Sequence, residues 1–183
     1  MHVRLSSSIG LPVVDQDDEA LGLLSGVFID PDRGKVEGFF VQVPGFVSSR
    51  ALFCSPIDII TWGTMIHVRD REVLSPAEDR VRLQSLLKDE RTVLGQKVVT
   101  ESGVCLGKCK DVQFDTEKME ITWLFPKRFL RWGTAIPVKE IIEVTKKSII
   151  VKDPPHPKEE ELDPAEALEV LKEITDPGIV HPV

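Results

Sequence analysis

ALGLLSGVFIDPDRGKVEGFFVQV, residues Ala20–Val43, reads as a long strand, a tight turn and a second strand. The turn is Asp30-Pro31-Asp32-Arg33-Gly34, with Pro at a turn-friendly position and Gly ready to take positive φ. The same unit returns at Cys105–Phe125, CLGKCKDVQFDTEKMEITWLF. An offset of 85 pairs Gly10 with Gly95, Val13-Val14 with Val98-Val99, Leu21-Gly22 with Leu106-Gly107, and Asp30 with Asp115. Past the turn an offset of 83 places Val36-Glu37 against Met119-Glu120 and Phe40 against Trp123. Pro56-Ile57 then meets Pro137-Val138, and Ile66–Asp70 meets Ile149–Asp153. Leu74–Glu78 meets Leu162–Glu166. The chain therefore carries one unit twice, a small β domain followed by a helix, and two copies suit two small domains side by side. Trp62-Gly63-Thr64 and Trp132-Gly133-Thr134 are a chance echo, because they fall at different places in the two copies.

Each copy offers five or six short strands separated by turn signals, which argues a small barrel. Leu21, Leu24, Val27 and Ile29 form the core set of the long strand, matched by Leu106, Cys109, Val112 and Phe114. Their spacing departs from strict alternation, so a bulge is expected near Gly22 or Gly26. Ser75-Pro76-Ala77-Glu78 is a capping box that opens a helix to about Glu90, with Leu83, Leu86 and Leu87 on one stripe. Asp163-Pro164-Ala165-Glu166 opens a second helix after the stiff segment Pro154–Pro157. The expected fold is mainly β: two small barrels in tandem, each followed by one α-helix. The divisions are 1–73, a connecting helix at 74–92, 93–153, and an acidic tail at 154–183.

The residues that carry these copies resemble the PRC-barrel domain, the small β-barrel of the photosynthetic reaction-centre H subunit and of a ribosome maturation factor. In the first copy they are Leu21-Gly22, Val27 to Val36 and Pro56 to Ile60; in the second, Leu106-Gly107, Val112 to Asp115 and Ile136 to Ile142. The resemblance implies a barrel that binds other proteins and carries no catalytic residues.

Net charge is −7, of which −6 lies in residues 154–183, so the body is near neutral and lacks a global basic footprint for nucleic acid. No apolar run approaches a membrane span and no signal peptide is visible, so the expectation is a cytoplasmic protein. Cys105 and Cys109 align with the apolar Ala20 and Leu24, which makes them small hydrophobes rather than ligands. The four histidines are scattered and no phosphate-binding glycine loop occurs, so no catalytic residue, metal or cofactor is expected.

The distinctive local feature is Pro126-Lys127-Arg128-Phe129-Leu130-Arg131-Trp132, which replaces PGFVSSR of the first copy, where Arg50 is the one cation. Lys127, Arg128 and Arg131 interleaved with Phe129 and Trp132 suit phosphate and a stacked base, or an anionic lipid surface. They equally suit a hairpin whose aromatics cap the barrel, or one that receives the acidic Glu159–Glu161. Leu23 and Phe28 stand where the second copy has Lys108 and Gln113, so the first copy is expected to bury this face against a neighbour. The functional expectation is a non-enzymatic adaptor that binds another protein. An RNA- or ribosome-associated factor using residues 126–132 is the alternative, and a membrane-peripheral subunit the third reading.

Overall fold

The computed structural model describes residues 1–44 and 51–154. The strands are β1 (His2–Arg4), β2 (Pro12–Val14), β3 (Ala20–Asp30), β4 (Lys35–Gln42), β5 (Leu52–Cys54), β6 (Ile59–Trp62) and β7 (Ile66–Val68). They continue as β8 (Lys97–Thr100), β9 (Cys105–Asp115), β10 (Glu120–Arg128), β11 (Arg131–Trp132), β12 (Ile136–Pro137), β13 (Ile141–Val144) and β14 (Ser148–Val151). The fold is mainly β, and all these strands belong to one sheet. Its path runs β13-β14-β8-β9-β10-β4-β3-β2-β7-β6, with β1, β5, β11 and β12 added along it.

That order reads the same from either end under the repeat: β4-β3-β2-β7-β6 is answered by β10-β9-β8-β14-β13. The register repeats as well. Pro12↔Leu23 becomes Lys97↔Lys108, Val27↔Phe39 becomes Val112↔Leu124, and Leu23↔Gln42 becomes Lys108↔Lys127. Bulges stand beside both expected glycines, at Leu21 next to Gly22 and at Ser25 next to Gly26, and they recur at Leu106 and Lys110.

The offset of 85 does not change at the turn. Asp30↔Lys35 is answered by Asp115↔Glu120, so Val36 corresponds to Ile121 rather than Met119, and Gly38 rather than Phe40 corresponds to Trp123. The turn keeps its length because Met119, at φ 53°, takes the left-handed position that Gly34 holds at φ 63°. Asp30 and Asp115 each close the turn by accepting two backbone N–H groups, from Asp32 and Arg33 and from Glu117 and Lys118. The length change falls later, between β4 and β5, where Phe39↔Cys54 is answered by Leu124↔Ile136.

Among the described residues the sheet is open rather than closed into the expected barrels, ending at β6 and β13. Both end strands are four residues long and bulged, at Ile60 and Ile142, which breaks the regular ladder a free edge would offer. Residues Met1–Asp153 form one compact unit rather than two packed side by side. One apolar cluster draws Leu24, Val36 and Phe39 together with Val112, Phe114 and Leu124. Phe39 and Phe114 meet across the repeat with ring centroids 5.8 Å apart, and Trp62 packs on both.

The expected helix from Ser75 to Glu90 is replaced by 3-10 turns at Ala77–Asp79 and Val81–Leu83 and a single α turn at Gln84–Leu87. The capping box fails because Ser75 is engaged elsewhere. Its backbone exchanges hydrogen bonds with Phe53, and its hydroxyl accepts from Arg80 Nε at 3.0 Å. Tertiary contacts thus override the local signal. Leu83 and Ala77 pack with Phe53 in a satellite cluster on the outer face of the first half. The second expected helix and the tail lie outside the described residues. No described helix is long and apolar enough to cross a membrane.

Two joints can be tested. A Cβ at Gly38 would stand 2.0 Å from Phe53 Cζ, so Gly38→Ala must expel a fully buried ring; a loss of about 1–3 kcal/mol is expected in urea unfolding, and no loss would contradict the packing. Arg91 donates to Asp32 at 2.5 and 2.8 Å and to Asp89 at 2.7 and 3.0 Å, tying the connecting segment to the first turn. The Arg91 hydrogen bonds hold both carboxyls below their ordinary value of 3.8. Groups with lowered folded pKa stabilise fully above their unfolded value and lose that contribution as pH falls through the folded one. The stability gap between wild type and Arg91→Gln should therefore be constant at neutral pH and close below 3.8. A gap that widens in acid would contradict it.

Candidate binding surface on the second half

β10 and β11 form the hairpin expected to carry a site. Lys127 pairs with Trp132 and Arg128 with Arg131, leaving Phe129 and Leu130 as a two-residue turn. Phe129 sits at φ 56°, a position that two-residue hairpin turns usually give to Gly, Asn or Asp. Phe129 is 93% exposed and Leu130 81%, so the aromatics at the apex do not cap the core. Trp132 is half exposed, and Lys127 Nζ lies 5.2 Å from its ring centroid.

The base of this hairpin is held by residues that sequence reasoning did not single out. The Arg4 guanidinium lies 4.0 Å from the Phe125 ring centroid and 5.3 Å from that of Trp132. Arg4 is fixed in turn by Asp111, whose Oδ2 accepts from Arg4 Nε at 2.8 Å and from Ser6 Oγ at 2.6 Å. The other oxygen, Oδ1, accepts from the Ser6 and Val112 backbone N–H groups. Asp111 is 1% exposed, and charge-assisted bonds of this kind are what allow a carboxylate to be buried. Its counterpart in the first half is Gly26. A charged residue at mid-strand where the repeat has glycine was the signal available in the sequence. β1 completes the anchor by pairing with β9 from His2↔Asp115 to Arg4↔Gln113.

The sheet brings further cations to the hairpin. Lys97 pairs with Lys108, Lys108 with Lys127, and Lys127 with Trp132, so one row crosses β8, β9, β10 and β11. The equivalent row of the first half is Pro12, Leu23 and Gln42, which is uncharged. Directly opposed residues share a face, and like charges so placed destabilise the sheet.

Leu23 and Phe28 belong to the first half and are not brought to the hairpin. Leu23 is 50% exposed. Phe28 packs edge-on to Phe40, 6.3 Å between centroids, against the satellite cluster of Phe53, Ala77 and Leu83. The connecting segment thus covers that face at Phe28 but leaves Leu23 half exposed, against the expectation that both are buried; in the second half Arg4 lies over Phe125 and Trp123 is 39% exposed.

Comparison with known families bears on the first half. Its strand order and the buried anchor Leu83 fall inside a match to the PRC-barrel domain that covers residues 1–84. Residues 1–84 are a PRC-barrel domain. No curated protein matches the chain. The match ends at Gln84, just past the leucine of the satellite cluster, and takes in the 3-10 turns at Ala77–Asp79 and Val81–Leu83.

The remaining reactive residues have structural settings. All three cysteines are free. Burial pushes the Cys54 and Cys109 thiols up to about 12, which keeps them protonated and unreactive at neutral pH. His67 bridges Thr61 Oγ1 at 3.1 Å and Asp18 Oδ1 at 3.0 Å. With Asp18 74% exposed, that line of three lies in water and ties the β6–β7 hairpin to the turn before β3. Among the described residues, no group of three or more His, Cys, Asp or Glu could hold a metal ion.

The anchor makes a direct prediction. Arg4→Ala leaves the Asp111 carboxylate buried without its cation and should cost about 2–3 kcal/mol in chemical denaturation. Ser6→Ala, which leaves the ion pair in place, should cost less. Equal losses would mean that the ion pair is not what holds the anchor.

Proposed function

We propose that the chain is a non-enzymatic adaptor built of two PRC-like units, residues 1–92 with their connecting segment and residues 93–153. The repeated strand order, register and bulges support the second unit as a diverged copy of the first. Divergence is what points to the binding end. In the first unit the positions of the lysine row are neutral and the adjoining face is covered at Phe28. In the second unit the row is charged and leads to an exposed apolar turn. A rigid body that presents one such end suits recognition of another assembly, and the Lys127–Trp132 hairpin is the element that makes contact.

One observation favours a more specific reading, a membrane-peripheral role. Phe129 and Leu130 are adjacent at the apex with cations on both sides.

Site-specific photocrosslinking in cells tests the assignment. A photoreactive residue at Phe129 should trap an adduct, and one at Val81, which is 81% exposed on the connecting segment, should not. Equal trapping at both positions, or none at Phe129, would contradict the hairpin as the recognition element.

A further inference from the structure

The lysine row has no packing reason to exist. Lys97, Lys108 and Lys127 oppose one another on three neighbouring strands about 4.8 Å apart. None of the three forms an ion pair with a described residue, and neither do Arg128 and Arg131. The sheet therefore bears a repulsive arrangement that an anionic ligand would relieve. The apex adds a second cost. A bulky aromatic occupies a left-handed turn position, and it and Leu130 stand almost wholly in water.

We infer that this surface docks on an anionic lipid bilayer, with Phe129 and Leu130 entering its apolar margin and the lysine row and two arginines facing the headgroup phosphates. The inference rests on the hairpin being the recognition element and names what it recognises. Three features favour lipid over RNA. Phe129 offers a base one exposed ring, but Leu130 beside it offers none and is satisfied only by an apolar medium. The Trp132 ring already has Arg4 and Lys127 within 5.3 Å of its centroid, so a base would have to displace a cation. An apolar apex with cations on its flanks matches the depth profile of a membrane surface, with apolar groups innermost and phosphates above them.

Vesicle co-sedimentation of the full chain is the test, using phosphatidylcholine with and without phosphatidylserine at low and high salt. Binding is expected only with phosphatidylserine and should weaken in high salt. Lys97→Gln/Lys108→Gln/Lys127→Gln should weaken it on the order of a hundred-fold, at about five-fold per cation. Phe129→Ser/Leu130→Ser should weaken it at least about ten-fold while leaving the thermal transition in place. Binding that ignores phosphatidylserine, or no binding to either vesicle, overturns the inference. Salt-sensitive capture of single-stranded RNA without vesicle binding overturns it in favour of nucleic acid. A protein adduct trapped from Phe129 without vesicle binding would leave the hairpin as recognition element and refute lipid alone. Loss of both would refute the two readings together.

Discussion

Two backbone hydrogen bonds hold the architecture together. Val36 N–H donates to Met119 O at 2.7 Å, and Ile121 N–H donates to Gly34 O at 2.8 Å. Under the repeat each is the image of the other, since Gly34 corresponds to Met119 and Val36 to Ile121. They flank the single register pair that joins β4 to β10, Lys35↔Glu120. The joint is thus isologous, like the interface of a two-fold dimer, but lies within one chain. In a dimer of identical units the same side chain would face itself across the axis. Here opposite charges, Lys35 and Glu120, stand there.

The joint explains why residues 1–153 are one unit. Val36 and Ile121, beside the axis, are both buried, and the Phe39–Phe114 contact continues the core across it. Each half leaves this inner side uncovered alone, so the two complete one another by burial, the dominant favourable contribution to folding. Separate demands act on the outer faces, where the halves are free to differ. Gly38 makes room for Phe53 and the connecting turns in one half, and Trp123 stands at the same place in the other.

Much of this was legible in the sequence, because register is dictated by local pattern. The Leu-Gly pairs, the bulges beside glycine and the turn beginning at Asp30 or Asp115 all repeat at one spacing. The offset of 83 matches Val36-Glu37 to Met119-Glu120 by residue type, but the turn keeps its length because Met119 takes the left-handed conformation of Gly34. The connecting helix failed for a different reason. Ser75 and Leu83 satisfy a helical pattern, but the strand ladder claims the Ser75 backbone and the satellite cluster claims Leu83. Closed barrels were inferred from strand count, which does not say whether the last strand returns to the first. At the candidate surface, residues 127–132 stood out by composition alone. Lys97, Lys108 and Arg4 did not, because only the pairing of β8, β9 and β1 brings them to the hairpin.

The measurement that goes most directly to the shared joint is native-state hydrogen exchange at the Val36 and Ile121 amides. One fused body predicts that both exchange only through global unfolding, with the same free energy and the same denaturant dependence. Exchange of the core amides of one half through an opening that leaves the other half protected would contradict it.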